Sequence, residues 1–382
     1  MRVVFVGGAG AMGAKAVSTA SAFGEFTELV IADRDLGAAE RLAADLGPRV
    51  SAVRFDADTD SAEDLFAGAW GVLNTLGPFT RFGAKVMTAA IASGCHYVDI
   101  NDDWEPTLEA LELHEAAHAA GVTALIGMGA SPGISNVLAA RAAVELDEMH
   151  ELVTGWALAG TTSESVGNRP SAAMLHFVHQ STGTIQVVEE GVEAQVKPLQ
   201  EMTIQYPGIG PVTVRTIGHP EAVTLPRHFP GLTRCVNVMA GPSWYFDTVA
   251  QLMSDVERGS IAAEEAALQM DQTPVRPPDA PPTVRTPTIW AWASGVRNGI
   301  GTIVAAGLNR WPEGKMAGAT GIPAAVALRL LARGDITHRG VVTPEQAVPF
   351  EQLIAELEPL YTEPSGSLLP LVTVTSEELA LK

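Results

Sequence analysis

Gly8, Gly10 and Gly13, in the stretch "VVFVGGAGAMG", satisfy the spacing G-x-G-x-x-G directly after an apolar run. The spacing has a physical use. The first glycine permits a tight turn, the second lets backbone approach a diphosphate, and the third lets the next helix sit close on its strand. The amides of Ala11, Met12 and Gly13 would then face the phosphates, with the positive end of the helix dipole behind them. Asp33 lies twenty residues beyond Gly13, at the tip of the run "ELVIAD", where a carboxylate can hold the hydroxyls of an adenosine ribose. The alternative use of such a run is a secretion signal. Its only basic residue would be Arg2 and glycine interrupts it at once, so the cradle is the better reading.

The cofactor expected is therefore NAD or NADP. Asp33 favours NAD slightly, because its charge opposes a 2′-phosphate, while Arg34 beside it could stack on adenine or pair with that phosphate. Asp56, after the next strand-like run, is expected either at the adenine edge or as a solvated strand-end acid. Gly77, Pro78 and Phe79 in "NTLGPF" form a turn that would run beneath the nicotinamide half.

Further candidates lie at later strand tips. "HYVDINDDWEP" gathers acids, of which Asp102 is a candidate for catalysis; a solvated loop or helix cap is the alternative. "GMGASPGISN" brings glycine and proline close together before a helix starting near Ile134. Its first amides could receive a carboxylate or a carboxamide, with Ser131 and Asn136 as substrate-binding candidates.

Hydride transfer at a dinucleotide site also needs a proton carrier and a cation for a substrate carboxylate. His219, between glycine and proline in "GHPE", is the first choice for the proton and Glu221 the second. Arg169, Arg215 and Arg227 are the candidate cations, with Arg227 preferred. His176 and His179 have a spacing that metals can use, but no third ligand motif lies nearby, so no metal is expected. His114 and His118 read as a solvated helix face. Neither cysteine is tied to a catalytic histidine.

These residues need elements to position them. Short apolar runs alternate with helix-like stretches through the first 130 residues, which predicts a Rossmann-type, doubly wound parallel sheet. From about 151 the rhythm becomes that of a mostly antiparallel sheet, through "ELVTGWALAG", "IQVVEEG", "EAQVKPL", "MTIQYP", "VTVRTIG" and "EAVTLP". Helices are expected at 171–182 and 245–269. The proline-rich 273–287 reads as a surface excursion or lid. Helix returns after Pro323 and again in "TPEQAVPFEQLIAELEP". The expected architecture is α/β: a dinucleotide domain over 1–130 plus 317–382, interrupted by an α+β substrate domain over 131–316.

The chain has 382 residues, a length for two domains, and its hydrophobic fraction of 47% is that of a globular protein. A net charge of -20 disfavours binding to nucleic acid or an anionic membrane surface. No apolar stretch reaches the roughly 18 residues of a membrane span. Two cysteines give no disulfide framework, which points to a reducing cytoplasmic home.

With the cradle, "ADRD", "LNTLGPF", "HYVDIND" and "GASPGISN" in order, the chain resembles the saccharopine dehydrogenase-like family, which includes saccharopine reductases and lysine 6-dehydrogenases. "GHPEAVTLP" and the closing "KMAGATGIPAAVALRLLARGDITHRGVVTPEQAVP" extend the resemblance. It implies NAD(P)-dependent oxidation of a carbon–nitrogen bond in an amino acid or amine, or reduction of the imine, by a homodimer. Saccharopine reductases carry Asp where this chain has Ser131, which argues against saccharopine itself and towards the lysine 6-dehydrogenase side. Two other functions fit the same cradle: redox-neutral aminoalkyl transfer with retained NAD, and non-catalytic dinucleotide sensing.

Overall fold

The computed structural model describes residues 1–158, 170–273, 286–362 and 368–379. They form sixteen strands. The strands are β1 (Arg2–Val6), β2 (Glu28–Asp33), β3 (Val50–Arg54), β4 (Gly71–Asn74), β5 (His96–Asp99), β6 (Thr123–Leu125), β7 (Glu148–Ala157) and β8 (Ile185–Glu189). They continue with β9 (Val192–Val196), β10 (Glu201–Tyr206), β11 (Gly210–Ile217), β12 (Arg234–Ala240), β13 (Ile289–Arg297), β14 (Ile300–Leu308), β15 (Gly340–Val342) and β16 (Val372–Glu378). The chain divides into two units, residues 1–137 with 310–371, and 138–309 with 372–382.

In the first unit, seven parallel strands lie in the order β15-β6-β5-β4-β1-β2-β3. Val3, Val4, Phe5 and Val6 are fully buried, as an apolar run covered on both faces should be. The strand order reverses between β1 and β4. At such a switch point the crossovers lead to opposite faces and leave a crevice at the carboxyl ends of the strands. The helix Ala11–Ser21 follows β1, and the late helix Lys315–Arg333 packs against it. That contact is close because Gly321 has no side chain: a Cβ there would lie 2.5 Å from the Met12 carbonyl oxygen. This helix starts eight residues before Pro323 rather than after it. Small residues that fit against the first helix offset the proline.

The second unit has a mixed sheet in the order β10-β11-β12-β7-β13-β14-β16, with the β8–β9 hairpin joined to β12. β12 and β7 are parallel and the other pairs antiparallel. One core gathers Phe177, Met239, Tyr245 and Phe246 from helices and sheet. A second gathers Val153, Tyr206, Val236, Trp290, Trp292 and Ile303 from strands. Gly155 makes room for Trp290, whose ring atom Cζ2 lies 2.4 Å from where a Cβ would be.

Several elements differ from expectation. "EAVTLP" lies in a helix, Glu221–His228, because Pro220 fixes a helical φ before it and Asn237 Oδ1 accepts the Ala222 N–H. The helix expected at 245–269 is two, Ser243–Glu257 and Ala263–Gln272, parted at Gly259 with φ +70°. "TPEQAVPFEQLIAELEP" likewise breaks at Pro349 into Pro344–Ala347 and Phe350–Leu357. Residues 372–378, expected in the dinucleotide domain, pair with β14 in the second unit. Residues 274–285 of the proline-rich stretch, and Arg169, lie outside the described residues.

Candidate functional site

The glycine turn sits at the crevice between β1 and β4. Gly7 holds φ +71° and lies against the Leu76 backbone, 3.0 Å from where its Cβ would be. Each glycine of the motif has its own reason. At Gly8 a Cβ would stand 2.9 Å from the Phe5 carbonyl oxygen, and at Gly13 only 2.4 Å from that of Gly7. At Gly10 the sole neighbour within 4 Å is the Gly7 oxygen at 3.3 Å, so this glycine keeps a surface open rather than a contact close. Gly10 caps the helix Ala11–Ser21 without a side chain. The first amides of a helix have no intrahelical partner, and here they belong to Ala11, Met12 and Gly13.

Asp33 is bound into this turn. Its Oδ2 accepts the Ala9 N–H at 3.0 Å and its Oδ1 the Asp35 N–H at 3.0 Å. A cleft of about 130 Å³ opens beside it, lined by Gly7, Asp33, Arg34, Asp56, Asp58 and Leu76 among others. Asp56 accepts the Asp58 N–H and pairs with Arg54, while Asp58 pairs with Arg81. Gly77 and Pro78 are exposed at the same edge, and Phe79 is buried as the first residue of the helix Phe79–Ala92. A dinucleotide fits this set: an open glycine, free helix amides and a fixed carboxylate within one crevice.

The carboxyl edge also holds a network that the motifs did not signal. Asp99, 3% exposed, accepts the Gly127 N–H at 2.7 Å and the Asn101 N–H at 3.1 Å on one oxygen, and a hydrogen bond from Tyr97. Burial, with Asp102 adding to it, pushes its pKa up to about 6. The sequence signal was an acid closing the apolar run "HYVD", overlooked beside the acids that follow it. Asp102 itself is half-buried in the loop before the helix Trp104–Leu111, whose N-cap is Asp103.

Ser131 is half-buried and Asn136 fully buried. Asn136 Oδ1 accepts the Gly133 N–H at 2.9 Å, and its Nδ2 donates to Glu345 Oε2 at 2.9 Å. The amides at this helix start are engaged internally. Ile134 N–H donates to the Gly129 carbonyl and Ser135 N–H to that of Ala130, so these two do not point at a ligand.

In the second unit His219 and Glu221 come together beyond the end of β11. His219 Nδ1 lies 3.3 Å from Glu221 Oε2, and the imidazole packs on Trp156 with ring centroids 4.7 Å apart. The corner is anchored to the sheet. Gly218 N–H donates to Gln180 O, and Asn237 links Ala222 to Thr154. Arg227, six residues on, lies about 9 Å further along the helix axis, is exposed, and pairs with Glu193 at 3.6 Å. Arg215 instead shares the cross-strand row of Met239 and Trp156, and pairs with Glu201.

Residues 3–125 match the family model for the saccharopine dehydrogenase NADP binding domain. Carboxyaminopropylagmatine dehydrogenase of Synechocystis is 27% identical over 252 residues, which span 61% of this chain and 61% of that protein. Apo saccharopine dehydrogenase (L-Glu forming) from Saccharomyces cerevisiae superposes with a TM-score of 0.66 at 14% identity, covering 99% of this chain and 100% of that one. Homospermidine synthase from Legionella pneumophila, solved in complex with NAD, gives 0.61 at 11% identity, covering 99% and 91%. Among the described residues no helix is long and apolar enough to cross a membrane. Residues 3–125 thus match a nucleotide-binding domain of the saccharopine dehydrogenase type, for NAD or NADP, and the chain as a whole shares its fold with saccharopine dehydrogenase.

Proposed function

We propose that this chain is an NAD(P)-dependent oxidoreductase acting on a carbon–nitrogen bond of an amino acid or amine, or on the corresponding imine. The observation that carries the reading is the open Gly10 surface beside a fixed Asp33, in a domain of matching type. When bound, a nicotinamide ring supplies or accepts the hydride. The protein's share is the proton. In this reading Glu221, whose Oε2 lies 3.3 Å from His219 Nδ1, favours the proton on that nitrogen and leaves Nε2 to take a proton from a substrate amine or a water. Trp156 covers the imidazole and limits water around it. Arg227, by exchanging Glu193, or Arg215 holds a substrate carboxylate, with Asp102 and Ser131 as further polar contacts in this reading.

The reading carries with it a homodimer in a reducing, cytoplasmic compartment, which agrees with two buried cysteine thiols. The test is absorbance of reduced nicotinamide with a panel of amino acids and amines, run in both directions. Turnover lost on substituting His219 is the expected result. No turnover across the panel with either cofactor overturns it.

A further inference from the structure

We infer that Asp99 is a positioning residue for the crevice, setting the backbone of the turns after β4 and β6 where a nicotinamide half would lie. The inference rests on the dinucleotide reading above.

Three turns end at the same edge of the sheet: 75–78 after β4, 100–103 after β5 and 126–133 after β6. In a doubly wound sheet this carboxyl edge is where a ligand lies. Each turn is attached to one buried chain of hydrogen bonds. Leu76 N–H donates to Asn74 Oδ1 at 3.0 Å, which fixes the orientation of that amide. Its Nδ2 must then donate to the Tyr97 oxygen, 3.0 Å away. The Tyr97 oxygen already accepts there, so its O–H is directed onward to Asp99. Asp99 gathers Asn101 N–H from the second turn and Gly127 N–H from the third, and its own carbonyl accepts Met128 N–H at 2.7 Å.

Asn74 and Tyr97 are fully buried, Asp99 is 3% exposed and Asn101 2%. A buried carboxylate is an expensive way to hold a fold together. What it offers over an apolar residue is convergence: several donors from separate turns meet at one small group. A shift of the carboxylate moves the 76–78 and 127–128 backbone together, while Asp33, on β2, is held by the Ala9 and Asp35 N–H groups, and the glycine turn is hydrogen-bonded to the first of these turns through Thr75, whose Oγ1 donates to the Gly7 carbonyl at 3.0 Å. The effect of Asp99 should therefore fall on one half of a dinucleotide.

The experiment is calorimetry on the full chain with two ligands, NADH and ADP-ribose, which lacks the nicotinamide. Asp99→Ala should weaken NADH by roughly 10-fold and leave ADP-ribose within about 2-fold. Asp99→Asn keeps one oxygen for the two backbone donors and reverses only the Tyr97 bond, so it should recover most of the NADH affinity. Tyr97→Phe, which cuts the link to Asn74 with little change of shape, covers the case in which Asp99→Ala fails to fold, and should weaken NADH alone. Equal weakening of both ligands, or NADH unchanged in both Asp99→Ala and Tyr97→Phe, overturns the inference. If the wild type binds neither ligand, the dinucleotide reading falls first and this one with it.

Discussion

His219 and Glu221 meet at 3.3 Å, Nδ1 to Oε2, with their side chains 5% and 0% exposed. A carboxylate with no exposure requires a charged or hydrogen-bonding partner, and this imidazole is one. In the proposed mechanism the glutamate favours the proton on Nδ1. His219→Gln is expected to lower kcat/KM by roughly 100- to 10,000-fold, the usual span for losing a general acid or base. Glu221→Gln keeps the shape and can still hydrogen-bond, so a smaller loss, about 10- to 100-fold, is expected with an altered pH–rate profile. Steady-state kinetics from pH 5 to 9 check both. An unaltered profile in Glu221→Gln would remove the glutamate from the mechanism.

The end of the crevice that the proposed reading gives to adenosine is acidic. Asp33, Asp56 and Asp58 line it, with Arg34 as the cation among its lining residues; Arg54 is spent on Asp56 and Asp60, and Arg81 on Asp58. A 2′-phosphate adds up to about two negative charges, so NAD should bind at least about 30-fold more tightly than NADP at low salt. Asp33→Ala should cut that ratio mainly by weakening NAD. Arg34→Ala should leave NADP affinity within about 2-fold. Calorimetry with both cofactors decides. A strong loss of NADP in Arg34→Ala would mean that the arginine receives the phosphate.

Gly10 and Gly13 separate binding from folding. A side chain at Gly13 runs into backbone at 2.4 Å and Thr75 Oγ1 at 2.7 Å, so Gly13→Ala should cost roughly 1–3 kcal/mol of stability as an overpacked site. A side chain at Gly10 meets one atom at 3.3 Å and otherwise only the surface of the crevice. Gly10→Ala should accordingly melt close to wild type while dinucleotide affinity falls by roughly 10- to 100-fold. Thermal melts beside titrations give both quantities.

The cradle was legible because its demands are local. Gly8, Gly10 and Gly13 and the distance to Asp33 follow from one turn of chain, and the alternation of apolar runs fixed the parallel sheet. The second unit was harder. β12, "RCVNVMA", passed unnoticed although it lies central in the sheet, since its partners β7 and β11 are far off in sequence and irregular in spacing. "EAVTLP" has strand-like composition but is held as helix by Pro220, a local effect, and by Asn237 on β12, a tertiary one. Asp99 escaped notice because of a tertiary effect too. Whether an acid at a strand tip is solvated or buried depends on what the next strand places over it, here Gly127.

Asp99 also makes a statement about stability. Burial first, and then Asp102, raise its pKa from 3.8 to about 6 against the hydrogen bonds of Gly127, Asn101 and Tyr97. The folded protein therefore holds this proton more tightly than the unfolded chain. Linkage then fixes the sign: this group favours folding most below about pH 4, and its contribution declines as pH rises towards 6 and is constant above. The decline is on the order of 3 kcal/mol. Other carboxyls run the opposite way, among them Asp60, held low by the Asp56 N–H, so the raw pH curve mixes both signs. The difference in unfolding free energy between wild type and Asp99→Asn isolates the group, because the amide does not titrate. Urea unfolding from pH 4 to 7 should show wild type losing about 2 kcal/mol relative to Asp99→Asn across that range. A flat difference would mean that the carboxyl is ionised throughout, and that the donors around it outweigh its burial.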